Sequence, residues 1–314
     1  MEKTSEPKRG KKVFINRDKF LSLLKEIDAM EDLVEIKNRV TKLKNTLVNY
    51  KNDEEGLLNI NSDGDTITRR EDVLLSELGQ ILDSRTVERA KYYLKRTKNG
   101  VQGKKTNKIN DINLALWKEY DEIITDSLWV LEKRDTSGAH LGWYWGNFIP
   151  QIPRQLLLRY TKKGEWIIDP FLGSGTTLIE CRRLGRNGIG IEINKETAQK
   201  AIELIEKENN PHNVETVTIS ADSSLINLNK VLREKGIKKA QFIVFHPPYF
   251  DIIKFSDEPQ DLSNARNVES FLKGFGAILD NVLPYLESGR YFAVVIGDKY
   301  SKGEWIPLGF LCMQ

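Results

Sequence analysis

Two glycines one residue apart, Gly173 and Gly175, stand between an apolar run that stops at an acid, Trp166-Ile167-Ile168-Asp169, and a stretch with helical spacing from Thr176 to Leu184. Alternate glycines let a backbone turn tightly and come close to a ligand, and the start of the next helix offers unpaired N–H groups. The spacing predicts a pocket for something small and partly anionic. After the helix, Gly188-Ile189-Gly190-Ile191-Glu192 reads as a second strand closing on an acid, roughly 20 residues on, where a nucleotide fold holds a ribose. The nicotinamide version of the motif wants a third glycine where Leu178 stands, so that cofactor falls behind. Two more strand ends carry chemistry-bearing residues: Asp222, after V-E-T-V-T-I-S-A, and His246-Pro247-Pro248-Tyr249, after Gln241 to Phe245.

These residues need a frame that brings strand ends together. Helical spacing between Lys195 and Lys207 and between Val268 and Leu286, with a fifth strand from Tyr291 to Ile296, predicts strands alternating with helices. That order implies an α/β fold, a Rossmann-like, mostly parallel, doubly wound sheet with ligands at the carboxyl ends of its strands. Ahead of it, Trp143-Tyr144-Trp145-Gly146 leads to Pro150 and Pro153, an irregular segment feeding a helix near Arg154 and able either to cover the pocket or to brace the core.

The rest of the chain reads as helical. Residues 1–12 are expected to be a disordered basic tail, residues 13–110 a helical N-terminal domain, and residues 111–314, beginning with a helix from Ile112, the catalytic domain. Apolar residues from Phe20 to Leu47 recur at three- and four-residue steps, and the stretch around Leu57 to Ile60 looks like loop. Leu75, Leu78, Ile81 and Leu82 mark a helix, and Val87, Ala90 and Leu94 mark a second that Asp83 or Ser84 can cap. The pair resembles a helix-turn-helix, and a plain supporting helical pair fits the same spacing. Between Arg85 and Lys108 there are nine Lys or Arg against one acid, Glu88. Arg85, Arg89, Lys91 and Lys95 on the open faces, with Lys104 and Lys105 in a flexible basic linker from Asn99 to Lys108, are the candidate nucleic-acid contacts.

The net charge of +3 over 314 residues with 30% charged side chains does not by itself mark a nucleic-acid binder. Two cysteines, Cys181 and Cys312, cannot build a disulfide framework, and with three histidines they make no metal-ligand spacing, so no structural metal is expected. No apolar run approaches a membrane span and the N-terminus lacks a signal-peptide core, which points to a cytoplasmic protein without a membrane partner.

The combination D-P-F-L-G-S-G-T-T at Asp169–Thr177, Glu192, Asp222 and P-P-Y at Pro247–Tyr249 resembles the amino-group DNA methyltransferases that modify adenine N6 or cytosine N4 with S-adenosylmethionine. The resemblance runs from about Phe148 to Ile296. It implies a class I methyltransferase fold, DNA as partner, and a cognate restriction endonuclease as a possible second one. It also implies roles: Asp169, Pro170 and Gly173-Ser174-Gly175-Thr176 around the methionine end of the cofactor with Phe171 beside it, Glu192 on the ribose hydroxyls, and Asp222 on the adenine amino group. Phe148 and Pro150 match the family's upstream cofactor segment. His246 and the Pro247 carbonyl would accept hydrogen bonds from the target amine, Pro248 would fix that backbone, and Tyr249 would stack on a base flipped from the duplex.

The chain departs from the family at His246, where Asp, Asn or Ser is usual; a neutral imidazole keeps one acceptor nitrogen and an imidazolium keeps none. Family sheets also carry an antiparallel hairpin after the fifth strand, for which only Ser301 to Gln314 remain, so either the chain is a fragment or the sheet is shortened. Adenine N6 is favoured slightly over cytosine N4. RNA or protein-glutamine methylation, or DNA binding by a disabled enzyme, are the readings left beside it.

Overall fold

In the computed structural model, which describes residues 11–49, 53, 56–58, 65–102, 107–120, 122–250, 252–301 and 303–314, contacts divide the chain into two units. One holds Met1–Asn107 with Ile112–Ile123, the other Lys108–Asp111 with Ile124–Gln314.

The first unit contains β1 (Lys12–Asn16), α1 (Arg17–Asp28), α2 (Leu33–Val48), β2 (Thr66–Arg70), α3 (Glu71–Leu82) and α4 (Val87–Val101). Helices α1, α2 and α4 start where a side chain takes one or more of the first free N–H groups, whereas α3, after Arg70, has no side-chain cap. Asn16 accepts from Lys19, Asp32 from Val34 and Glu35, and Thr86 from Arg89. Thr86, rather than Asp83 or Ser84, therefore caps α4. The long apolar stripe becomes two helices, and Phe20, Leu24, Ile27, Ile36, Val40 and Leu47 bury it in one core.

Four readings of this unit change. It is not purely helical, because β1 and β2 pair antiparallel from Lys12↔Arg70 to Asn16↔Thr66; partners this far apart leave no local signal. Residues 1–10 of the expected tail lie outside the described residues, and Lys12 already belongs to β1. The expected linker begins inside α4, which runs to Val101. Residues 112–123 group with this unit, and instead of an α-helix they form a 3-10 helix, Leu114–Glu119, broken at Leu116. Side chains fix that conformation: Tyr120 accepts from the Asn113 N–H, and Glu119 accepts from buried Arg69 and from the Arg70 amide.

The second unit contains α5 (Gln151–Tyr160), β3 (Trp166–Asp169), α6 (Thr176–Leu184), β4 (Asn187–Glu192), α7 (Lys195–Lys207), β5 (Thr216–Ser220), α8 (Leu228–Glu234), β6 (Ala240–Phe245), α9 (Val268–Val282) and β7 (Leu286–Val294). A short antiparallel pair, β8 (Lys299–Ser301) with β9 (Glu304–Ile306), and α10 (Leu308–Leu311) follow. The main sheet runs β5-β4-β3-β6-β7, with every neighbour parallel. It is the expected Rossmann-like parallel sheet. The chain builds outward from β3 to β5, then returns to the other flank of β3, so the crevice between the ends of β3 and β6 is the place for a ligand.

Local boundaries move for identifiable reasons. β5 stops at Ser220, and Asp222 opens a turn by accepting at its carbonyl from the Leu225 and Ile226 N–H groups. α9 ends at Val282 because Pro284 cannot continue an α-helical ladder, and β7 starts at Leu286 rather than Tyr291. α8 had no counterpart in the sequence reading.

Gly190 shows why β4 alternates glycine with isoleucine. A Cβ there would lie 2.5 Å from Leu172 Cδ1 and 2.7 Å from Cδ2, and Leu172 is buried while its N–H donates to the Ile191 carbonyl at 3.0 Å. Gly190→Ala is therefore expected to cost about 1–3 kcal/mol through overpacking. Thermal unfolding checks this, and an unchanged midpoint would remove the packing explanation.

Candidate functional site

The site begins with the turn after β3. Asp169 is 1% exposed and its Oδ1 accepts from the Phe171 N–H at 3.0 Å. Gly173 and Gly175 have φ of +53° and +87°, the left-handed region that suits glycine, and Gly175 is the N-terminal cap residue of α6. The turn is tied to the next strand end: Glu192 Oε2 accepts from the Gly173 N–H and Oε1 from the Asn194 N–H, each at 2.9 Å. Burial pushes the Glu192 carboxyl up to about 7 against the pull of these amides. Burial likewise pushes Asp169 up to about 6, with the Phe171 amide and the nearby Thr177 hydroxyl opposing.

Above this turn lies a cavity of about 400 Å³. Pro170, Phe171, Gly173, Ser174, Thr176, Glu192 and Asp222 line it together with Phe148, His246, Pro247, Pro248 and Tyr249. The expected cofactor turn and the expected catalytic motif thus share one space. Asp169 sits buried outside that lining, as do Gly175, which shapes the turn, and Pro150, which precedes α5. Asp222 accepts from the Ser224 N–H and hydroxyl at 2.8 and 2.7 Å through Oδ1. Ser223 donates to the Pro170 carbonyl at 2.7 Å, joining the ends of β5 and β3.

β6 delivers the four-residue motif, and its last carbonyl, Phe245, accepts from the Val295 N–H at 2.8 Å beyond β7. The His246 ring stacks on Phe148 with centroids 4.5 Å apart and planes inclined by 23°. Desolvation lowers the His246 pKa to about 4, so the imidazole is neutral near pH 7 and retains an acceptor nitrogen. The Tyr249 hydroxyl accepts from the Gly297 N–H at 2.8 Å, which fixes the ring across the cavity.

Three buried oxygens in and beneath this site lack a completed hydrogen bond: Asp169 Oδ2, Thr177 Oγ1 and Asp222 Oδ2. Buried polar atoms are rarely left so unless a ligand completes them. The sequence profile of a family described as DNA methylase matches residues 9–203. The chain belongs to the DNA methylase family.

Among individual relatives, a 63-residue stretch is 49% identical to the type II methyltransferase M.MjaII of Methanocaldococcus jannaschii, covering 20% of this chain and 12% of that one. A 96-residue stretch is 34% identical to M.HpaI of Haemophilus parainfluenzae, covering 31% and 28%. A 55-residue stretch is 47% identical to M2.DpnII of Streptococcus pneumoniae, covering 18% and 20%. The matched segments span less than a third of each of these relatives. The family's cofactor is S-adenosylmethionine, and the lining residues fit it: the unpartnered Oδ2 of Asp222 suits an adenine amino group, and Glu192, held by two backbone amides, suits paired hydroxyls.

Sequence reasoning missed part of the wall. Tyr144 lines the cavity, and a Cβ on Gly173 would meet its ring at 3.0 Å. Its ring stacks on Phe255 with centroids 5.3 Å apart, and Asn147 donates to Ser174 Oγ at 3.0 Å. The aromatic run flagged Tyr144 as a possible cover, whereas Phe255, Gln260 and Asp261 come from a loop with no recognisable spacing. The structure also gathers Asp135, His140 and Glu180, a set of metal-ligand types invisible in sequence. Arg183 already pairs with Asp135 and Glu180, and Arg154 with Glu180.

In the first unit, the basic face of α4 is partly used. Lys91 pairs with Glu31 at 2.8 Å and Lys98 with Asp28 at 3.3 Å, while Arg89 lies over the rings of Tyr92 and Tyr93. Arg85 and Lys95 are exposed, as is the ring of Tyr92. Lys104 and Lys105 lie outside the described residues. Among the described residues no helix is long and apolar enough to cross a membrane.

Proposed function

We propose that the protein is a site-specific DNA methyltransferase that moves a methyl group from S-adenosylmethionine to an exocyclic amino nitrogen of a flipped base, adenine N6 ahead of cytosine N4, within restriction-modification or host defence. One observation carries this reading: His246-Pro247-Pro248-Tyr249 opens onto the same cavity as Gly173, Ser174 and Glu192. Had the two loops faced different spaces, donor and acceptor could not meet.

When bound, S-adenosylmethionine supplies a methyl group already activated by its positive sulfur. Glu192 and the glycine turn would hold the nucleoside and methionine ends, with Phe171 and Asp222 beside them and Asp169 buried beneath the turn. The difficult partner is the amine, whose lone pair is delocalised into the base ring. Neutral His246 and the Pro247 carbonyl accept its two N–H bonds and draw the nitrogen toward tetrahedral geometry, which is positioning and electrostatic work. With a pKa near 4, His246 orients the amine rather than keeping its proton. Tyr249, held by Gly297, offers its ring to the face of the base.

In the same reading, α4 supplies phosphate contacts through Arg85, Arg89 and Lys95. Replacing all three by Ala is expected to reduce the slope of log K against log salt by about 2.7 and to weaken DNA binding at least tenfold at physiological salt. Fluorescence anisotropy across a salt series measures both, and an unchanged slope would take α4 out of the interface. The function itself is tested with tritiated cofactor on duplex DNA, transfer RNA and protein. Label confined to DNA, with modified-base sequencing to identify the nitrogen and any cognate endonuclease site, is expected; label on RNA or protein alone would replace it.

A further inference from the structure

The charge of the cavity is one-sided. Glu192, Asp222 and Asp261 line it, and among the described residues of its wall there is neither lysine nor arginine. Asp169 lies buried beneath, with Oδ2 unpartnered. Asp261 enters from the loop between β6 and α9 and is 6% exposed. Its Oδ1 accepts from the Ser263 N–H at 2.8 Å and its Oδ2 from the Ser256 hydroxyl at 2.6 Å. Both donors are neutral, so they orient the carboxylate without cancelling its charge. That charge is felt across the cavity, where it helps push up both the Glu192 carboxyl and the Tyr144 hydroxyl. The stacked rings of Tyr144 and Phe255 stand on the same wall, and aromatic faces beside carboxylates favour cations.

We propose that Asp261 is a charge-selecting residue of the cofactor site: with Glu192 and Asp222 it makes the cavity prefer the cationic sulfonium donor to its neutral thioether product. The proposal rests on S-adenosylmethionine being the cofactor. In methyl transfer the sulfur–methyl bond breaks and its electron pair stays on sulfur. The amine lone pair forms the new nitrogen–methyl bond, and the amine proton leaves to water. The ligand thereby loses one positive charge while the wall keeps its negative ones, in surroundings where a single charge matters more than in water. Weaker retention of the product follows, which helps turnover.

Asp261 also caps the short 3-10 helix Leu262–Asn264, so a purely structural role must be separated from a charge effect. Isothermal titration of the full chain with S-adenosylmethionine, S-adenosylhomocysteine and sinefungin does so, because sinefungin carries an ammonium in place of the sulfonium. The two cationic ligands are expected to bind at least about tenfold more tightly than the thioether. In Asp261→Asn they should lose about threefold to tenfold while the thioether changes little. Ser256→Ala, which keeps the charge and removes one hydrogen bond, should preserve the preference. Equal affinities in the unaltered protein, or a uniform loss for all three ligands in Asp261→Asn, would overturn the proposal. No binding by any of the three overturns the cofactor assignment, and the proposal with it.

Discussion

A His246→Ala enzyme should turn over about 10²–10³-fold more slowly at saturating substrates, with cofactor affinity unchanged, because it loses one acceptor aimed at the reacting amine. His246→Asn should recover much of the rate, since its amide oxygen accepts in a similar position. The pH dependence separates this from loss of packing against Phe148. His246 has its pKa depressed from 6.5 to about 4, so the acceptor stays available down to about pH 4, and no acid limb near pH 6.5 should vanish in His246→Asn. Depression also fixes the stability sign. The group contributes stability present above its unfolded value of 6.5 and lost as pH falls through about 4. Steady-state kinetics from pH 5 to 9 provide the check: an acid limb near 6.5 that disappears in His246→Asn would show that the imidazole titrates freely and that the stacked, desolvated ring is not the working state.

Most of the second unit was legible because parallel strands buried on both faces leave short apolar runs ended by chemistry. β3 and α7 fall at the expected residues, and β4 and β6 begin one residue earlier. The turn at Gly173–Gly175 and the motif at His246–Tyr249 were legible for the same reason, since each follows such a run. What stayed hidden depends on contacts between distant residues. β1 and β2 form only as a pair, the Leu114–Glu119 turn is set by Arg69 and Tyr120, and Asp261 and Phe255 reach the cavity through loop geometry alone. Hydrophobic period reports which face of an element is buried, and it carries nothing about where a loop returns.

Asp169→Asn is expected to make the apo protein more stable and the site worse. The Asp169 carboxyl is buried, one of its oxygens has no completed bond, and its pKa is raised from 3.8 to about 6. Keeping it ionised in the folded chain near pH 7.5 therefore costs about 3 kcal/mol. The sign follows from the upward shift. Its contribution to stability is fully present below about pH 4 and is lost as pH rises through about 6. Glu192, raised to about 7, adds a trend in the same direction, so the informative quantity is the difference between variant and unaltered protein. That difference should be small at about pH 4 and should reach about 1–2 kcal/mol, or a few degrees in midpoint, at pH 8. It falls short of the full cost because the new amide must place its own N–H groups, and the Thr177 hydroxyl that opposes the upward shift of the carboxyl is the group it would meet. Cofactor affinity should move the other way, by about tenfold to a hundredfold, since a neutral amide replaces a charged acceptor. Thermal melts at the two pH values and titration calorimetry give both numbers. A variant that is less stable at pH 8 and binds cofactor as well as before would mean that Asp169 is satisfied within the protein and holds no ligand.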